Sequence, residues 1–366
     1  MTRSYNFSAG PAILPEEVLL QAQKELLEWR DGISILEDSH RTTIFSELVE
    51  KLRDQFRELL NIPKNYQVLF MQSGGTAQFA AVPLNLLGDK TTADYIATGF
   101  WSERAIAEGK LYCDVNVVTT NADSHYTNIP DVSTWHLNPS AAYVHFVTNE
   151  TIHGIEFPFV PKTGDVPLVA DMSSNILSKV INVAEYDLIY AGAQKNIGPA
   201  GMSVVIIRED LIGYAREITP AILDYKRFAQ EGFYNTPNTF AIYLAHLALA
   251  WLQKQGGVSA IEKINKRKAE MLYNAIDNSN GFYLNKVEVP FRSRMNVPFS
   301  ITNQDLEKIF INDAKKEGLI NLSGHKSAGG LRASIYNAMP EAGVRTLVDF
   351  MKFFAKRYQR RCGVRY

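Results

Sequence analysis

Seven short apolar runs between residues 67 and 207 restrict this chain more than any other feature. They read QVLFM (67–71), ADYIAT (93–98), VNVVT (115–119), AAYVHFVT (141–148), PLVAD (167–171), DLIYAG (187–192) and SVVII (203–207). Each has the length of a strand, and most are near-continuous rather than alternating. A strand that is apolar on both sides needs cover on both faces, which helices supply in a mostly parallel sheet.

Helices able to provide that cover are written into the sequence. Pro15-Glu16-Glu17 places Pro near a first helical position and acids in the first turn, and Val18, Ala22, Leu26 and Trp29 follow at helical spacing. Phe45, Leu48, Val49, Leu52, Phe56, Leu59 and Leu60 share one face, and the pattern stops before Pro63. A long helix is expected from about Thr236 to a stop at Gly256-Gly257. Beyond it the rhythm changes to a charged helix (259–276), NVPFSI, a helix around 304–317, LRASIYNA and a final helix around 341–358.

At 366 residues the chain is too long for one ordinary core. The expectation is an α/β fold. A large domain, 15–257, carries the mostly parallel central sheet flanked by helices. A smaller α+β domain comprises 258–366 and the N-terminal arm, 1–14. No internal repeat or low-complexity segment interrupts this plan. The basic tail QRRCGVRY reads as a solvated end.

Bulk chemistry excludes several functions. A formal charge of -1 offers no long-range attraction to nucleic acid or an anionic membrane, so anions must be held by local groups. Two cysteines, Cys113 and Cys362, make neither a disulfide framework nor a metal-ligand pattern, which fits a reducing compartment. The start MTRSYNFSAGPAILP has no apolar stretch of signal-peptide length. The run AIYLAHLALAWL (241–252) is broken by His246 and falls short of the roughly 20 residues needed to span a bilayer. A cytoplasmic, non-membrane protein is expected.

Ligands of open α/β sheets sit beyond the carboxyl ends of the strands, so the residues after each run matter most. After QVLFM comes Gln72-Ser73-Gly74-Gly75-Thr76, a Gly-rich turn feeding a helix-compatible segment, suited to a phosphate. It matches neither common nucleotide-binding pattern and by itself reads as a plain strand-to-helix turn. After ADYIAT comes Gly99-Phe100-Trp101-Ser102, whose indole can stack on a planar heterocycle or simply fill the core. Asp171 ends a buried run and needs a partner; a pyridinium nitrogen is one, and capping the next turn is the alternative. After DLIYAG, Lys195 lies among small residues in AGAQKNIGPAG, where desolvation would lower its pKa and make it nucleophilic toward an aldehyde.

Each signal alone is modest. Together they supply a phosphate cradle, an aromatic stacker, an acid for a ring nitrogen and a Schiff-base lysine 24 positions after that acid. Pyridoxal phosphate asks for that set, and the large domain becomes its binding domain.

The chain also resembles a family. NFSAGPAILPEEVL, SHR, FAAVPLNLLGDKTTADY, NETIHGIE, YAGAQKNIGPAG, YNTPNTFAIY, SRMNVPF and RASIYNAMP are similar to blocks of the phosphoserine aminotransferases, within the class V (fold type I) pyridoxal-phosphate-dependent aminotransferases. The resemblance implies that Lys195 forms the Schiff base, Asp171 pairs with the pyridinium, Trp101 stacks, and Thr151 hydrogen-bonds the cofactor. It implies Gly75, Thr76 and Gln194 at the cofactor phosphate, joined by Asn235 and Thr236 from the neighbouring subunit of a homodimer with shared active sites.

The implied reaction is a ping-pong transfer of an amino group from L-glutamate to a phosphorylated 2-oxo acid, with Lys195 moving the proton. The phosphorylated acids implied are 3-phosphohydroxypyruvate, in serine biosynthesis, and a four-carbon relative, in pyridoxine biosynthesis. Arg332 would bind the α-carboxylate through its fork. His40 and Arg41, with His325 and Lys326, would meet the distal anion, and Ser8 lies in a loop near glutamate. Without the resemblance His40-Arg41 reads as a polar surface turn.

Two positions depart from the family pattern. Thr76 stands where some relatives have Arg, and Lys326 where a GHR motif has its Arg, so the phosphate geometry differs. Two other readings stay open at this point. A cysteine desulfurase would need a reactive cysteine on a mobile loop, for which Cys113 and Cys362 have no supporting context. A binding-only protein on the same scaffold would need no free base such as Lys195.

Overall fold

The computed structural model describes residues 3–359; the rest of the basic tail, with Cys362, lies outside them. All seven apolar runs form strands of one sheet: Tyr66–Gln72, Thr92–Ala97, Asp114–Thr120, Val144–Val147, Leu168–Asp171, Leu188–Gly192 and Met202–Arg208. Across the sheet, Tyr66–Gln72 comes first. Met202–Arg208 follows, then Leu188–Gly192, Leu168–Asp171, Val144–Val147, Thr92–Ala97 and Asp114–Thr120. Met202–Arg208 runs antiparallel to both its neighbours, and the other pairings are parallel. The mostly parallel α/β sheet is therefore present.

The uniform burial expected of the strands fails at the edge. Asp114–Thr120 has one neighbour, and Val117 on it is 40% exposed. The run at 141–148 is a shorter strand, although the Ala142 amide and the Tyr143 carbonyl still bond the neighbouring strand at Thr92 and Asp94.

Helix limits follow local caps. Thr42 accepts from the Phe45 amide to open Thr43–Leu60, and Asn61 closes it in a left-handed conformation, φ 50°. The first helix, Glu16–Glu25, stops short of the expected Leu26 and Trp29. There the chain turns so that Arg30 bridges Ile33, and Trp29 packs edge-on against Tyr243 at 6.2 Å. The long helix begins at Thr239 rather than Thr236, because the Asn238 side chain caps it through the Ala241 amide. It ends at Lys254, and the next helix, Gly257–Asp277, starts at once after Gly256.

Gly257–Asp277 contributes to two apolar cores. Val258 and Ile261 join residues of the large sheet, whereas Ala269, Leu272, Tyr273 and Ile276 enter a second core. That second core also takes Phe7 and Ile13 from the N-terminal arm. It packs around an antiparallel sheet of Tyr283–Leu284, Asn296–Ile301 and Leu331–Ser334. The arm adds Tyr5 and Asn6 in parallel register with Leu319 and Ile320. Among the described residues, no helix is long and apolar enough to cross a membrane.

Lys268, fully buried in this second core region, donates from Nζ to the carbonyls of Ile335 (3.0 Å), Tyr336 (2.8 Å) and Met339 (3.0 Å). Those carbonyls belong to the turn after the strand that bears Arg332. Lys268→Met should leave them unsatisfied and cost about 2–5 kcal/mol in urea unfolding, with the slope unchanged. A loss below about 0.5 kcal/mol, the range of an inconsequential surface substitution, would show that the clamp carries no weight.

Candidate active site

Strand direction brings the chemistry to one edge. The carboxyl ends of six parallel-directed strands line up there, and Met202, opposite Gln72, starts the antiparallel one at the same edge. A cavity of about 280 Å³ opens at this edge. Its lining includes Gly10, Gly75, Thr76, Trp101, Asn149, Thr151, Asp171, Gln194, Lys195, His325 and Arg332. Nine of the site residues expected from the sequence line it, and they come from segments far apart in the chain.

Lys195 follows Leu188–Gly192 in a tight turn, with its amide on the Ala193 carbonyl at 2.8 Å. Its side chain is buried, and Nζ donates to Thr151 Oγ1 at 2.8 Å. The amine sits 5.8 Å from the centroid of the Trp101 ring. Burial lowers its pKa to about 8; the charge of Asp171 pulls it back up and that of Arg332 pushes it down. Asp171 ends Leu168–Asp171, also buried, and burial raises its pKa against hydrogen bonds from Ser173 and the nearby Lys195 charge. The Tyr190 hydroxyl reaches the same carboxylate and also lies 2.8 Å from His145 Nε2.

The Gly-rich turn has the form expected of an anion cradle. Ser73 adopts φ 79°, and Gly75–Leu86 opens at Gly74 without a side-chain cap, leaving the helix N-terminus to other partners. No Cβ fits at its floor. One on Gly75 would lie 2.8 Å from Ser173 Oγ, and one on Gly192 would lie 2.9 Å from the Gly75 amide.

Arg332 reaches the cavity from Leu331–Ser334 of the smaller sheet. Burial lowers its pKa, and its Nε has no hydrogen-bond partner. A polar seam ties this strand to Asn149, just beyond the end of the large-sheet strand Val144–Val147. Asn296 accepts from Asn149 (2.8 Å) and donates to Ser334 Oγ (2.9 Å) and the Tyr336 hydroxyl (3.0 Å). His325 lines the cavity too, its ring 5.2 Å from Phe100 and its pKa lowered by burial and by Arg332 and Lys326.

Other expected residues do not meet Lys195 within this chain. His40 and Arg41 line a separate hollow with Arg53, Phe233 and Tyr234. Asn235 and Thr236 are exposed next to it, where Gln72 Nε2 donates to Asn235 Oδ1 (2.6 Å) and the Thr236 carbonyl (2.8 Å). Ser8 accepts from the Gly10 amide at 3.4 Å, and Lys326 is exposed; neither lines the cavity. Cys113 lies away from it, half-buried, with its thiol pKa pushed up by burial.

Several neighbours escaped the sequence reading: Glu150, Ser173, Tyr190, His145 and the seam asparagines. Tyr190 and His145 sit inside apolar runs and look like core. Glu150 and Asn149 had one visible signal, being polar in series with Thr151 at a strand end.

The Aminotransferase class-V family model matches residues 4–347. The chain belongs to the class-V aminotransferases. Within them it stands with the phosphoserine aminotransferases. The phosphoserine aminotransferase of Chromobacterium violaceum is 50% identical over 98% of this chain and 100% of its own. The solved phosphoserine aminotransferase of Bacillus circulans subsp. alkalophilus superposes with a TM-score of 0.95 at 43% identity, over 97% of this chain and 99% of that one. The PLP-bound phosphoserine aminotransferase of Trichomonas vaginalis gives 0.92 at 41% identity, over 96% and 100%.

This class-V aminotransferase is a pyridoxal-phosphate-dependent transaminase. Its own atoms fit that cofactor: a lysine with a depressed pKa, a buried acid, an uncapped helix start, and buried Trp101 Nε1 and Arg332 Nε without partners. Acetic anhydride labelling of the cofactor-free protein should therefore show Lys195 reacting half-maximally near pH 8. Exposed lysines should keep gaining about tenfold per pH unit up to pH 10. A Lys195 profile identical to theirs would contradict the desolvation.

Proposed function

We propose that this chain transfers the amino group of L-glutamate to 3-phosphohydroxypyruvate, giving O-phospho-L-serine and 2-oxoglutarate. The same site would accept 3-hydroxy-2-oxo-4-phosphooxybutanoate, the four-carbon acid of pyridoxine biosynthesis. The observation that carries this reading is the buried Lys195 amine facing Asp171, with the unpartnered Arg332 Nε in the same cavity.

Pyridoxal phosphate, when bound, supplies the carbonyl carbon that takes and returns the amino group and a ring that spreads the electron pair. The chain supplies the rest. Lys195, once free, takes the proton from the substrate α-carbon and returns it to the other partner of the exchange. Thr151 holds the amine in place through its hydroxyl. Asp171 keeps the ring nitrogen protonated, and burial strengthens that pairing. Trp101 covers the ring, and Gly75, Thr76 and Gln194 receive the cofactor phosphate. Arg332 binds the α-carboxylate, for which a planar fork is the matching shape.

The distal anion calls for groups that Lys195 lacks in its own chain. His40 and Arg41 flank the segment that leads to Asn235 and Thr236, on a surface separate from the cavity. Their grouping supports a homodimer in which this surface completes the partner's cavity, with Ser8, His325 and Lys326 at its entrance. The same proposal includes cytoplasmic location and the division into 15–257 and 1–14 with 258–366. The smaller domain's apolar core, distinct from the two clusters that cover the faces of the large sheet, supports that division, and Gly257–Asp277 contributes to it and to one of those two.

Steady-state kinetics with glutamate and both phosphorylated acids test the reading. Lys195→Ala should lower kcat by about 10²–10⁴-fold, and Arg332→Lys should raise KM for both substrates. Wild-type protein that discriminates against phosphorylated acids in favour of unphosphorylated ones would contradict it. Mixing Lys195→Ala with the double variant His40→Ala, Arg41→Ala tests the sharing. Random exchange should restore about a quarter of the wild-type sites if these residues act across subunits, and none if they act within one.

A further inference from the structure

Glu150 has no role in the chemistry above, yet it is fully buried beside it. Its Oε2 accepts from the Trp101 amide at 3.0 Å, and its Oε1 accepts from the Ser102 amide at 2.9 Å. Ser102 Oγ lies 2.8 Å from Oε1 and accepts in turn from the amides of Thr98 and Gly99, both at 2.9 Å. One carboxylate therefore takes the Trp101 and Ser102 amides of the opening turn of Phe100–Gly109, while the Phe100 amide donates to His153 Nδ1 at 3.3 Å. The positive end of the helix favours that charge there.

An ordinary helix cap is local in sequence and fixes the helix only to its own chain end. This cap comes from 48 or 49 residues away. It sits on the residue before Thr151, which holds the Lys195 amine. One dipeptide thus grips both walls of the cavity: Glu150 the helix that carries the indole, Thr151 the lysine. Gly99 is shaped to this contact, since a Cβ there would lie 2.5 Å from Glu150 Cδ. Its φ of 167° is ordinary extended backbone, so space alone excludes a side chain.

We propose that Glu150 is a positioning residue that sets the gap between the Trp101 ring and Lys195 Nζ, and so the slot into which the flat cofactor ring fits. Burial raises its pKa to about 7 against the pull of the three donors, so the carboxylate is held by those donors rather than by water. A rigid slot favours a planar ring over a flexible one because the ordering is done before binding. The inference rests on Trp101 and Lys195 facing the bound cofactor.

The test uses the holoprotein and two readouts that a purely structural role would not move together: the visible circular dichroism of the bound cofactor and its rate of release. Glu150→Gln keeps the size but turns an NH2 toward an amide donor. It should weaken the dichroic band and speed release about 10–100-fold, the effect of losing one hydrogen bond to a charged group. Combining it with Trp101→Phe separates positioning from general support. If Glu150 acts through the indole, the double variant should release cofactor little faster than Trp101→Phe alone. Additive effects, or a wild-type band and release rate in Glu150→Gln whatever its melting temperature, overturn the proposal. Should Glu150→Gln fail to fold, Gly99→Ala crowds the same contact with all donors retained and must change the band. An unchanged band there also overturns it. A wild-type holoprotein with no dichroic band would instead refute the underlying site, which distinguishes the two failures.

Discussion

Removal of one amine from water is the constraint on which the rest depends. Lys195 Nζ is buried, and its ordinary charge is costly there. The chain meets that cost with a neutral acceptor, Thr151 Oγ1, and a nearby carboxylate, Asp171. The result is an amine whose pKa falls to about 8, so that a larger share of it is neutral than of an exposed lysine. Asp171 is buried by the same geometry and would be unstable as a lone anion, so Ser173 and Tyr190 share its charge.

A second constraint is that the cavity has two walls from two cores. Arg332 belongs to the smaller sheet, Lys195 to the turn that follows a strand of the larger. Asn296 joins them at full burial through Asn149, Ser334 and Tyr336, and the Tyr336 hydroxyl continues to the Ala9 carbonyl of the N-terminal arm at 2.7 Å. Asn337 adds bonds to Asn265 and to the Leu177 carbonyl. The amide nitrogens of Asn149, Asn265, Asn296 and Asn337 all donate across this seam, which ties the strand of Arg332 to the segments around the lysine, although Asn149 Oδ1 and Asn265 Oδ1 are buried without a partner. Lys268 secures the turn that follows.

Much of this was legible in the sequence, for definite reasons. The strands could be read because a sheet covered on both faces demands uninterrupted apolar runs, and the exposed edge strand at Asp114–Thr120 is where that demand lapses. The convergence of Lys195, Asp171, Trp101 and the Gly75 turn could be read because each follows a strand in one direction along one edge. Pairings across long sequence distances could not. Glu150 is held by residues 48 and 49 positions away, and Asn296 by one 147 positions away. Nothing local marks such contacts. His40 and Arg41 were picked out by resemblance, and a single chain leaves them on a surface apart from Lys195.

Lys195, rather than any other lysine, is the residue proposed to join the cofactor. Borohydride reduction of the holoprotein, digestion and tandem mass spectrometry locate the pyridoxyl group directly. The group is expected on Lys195 alone. Finding it on Lys268, the other buried lysine among the described residues, or spread over exposed lysines with Lys195 unmodified, would contradict that role for Lys195.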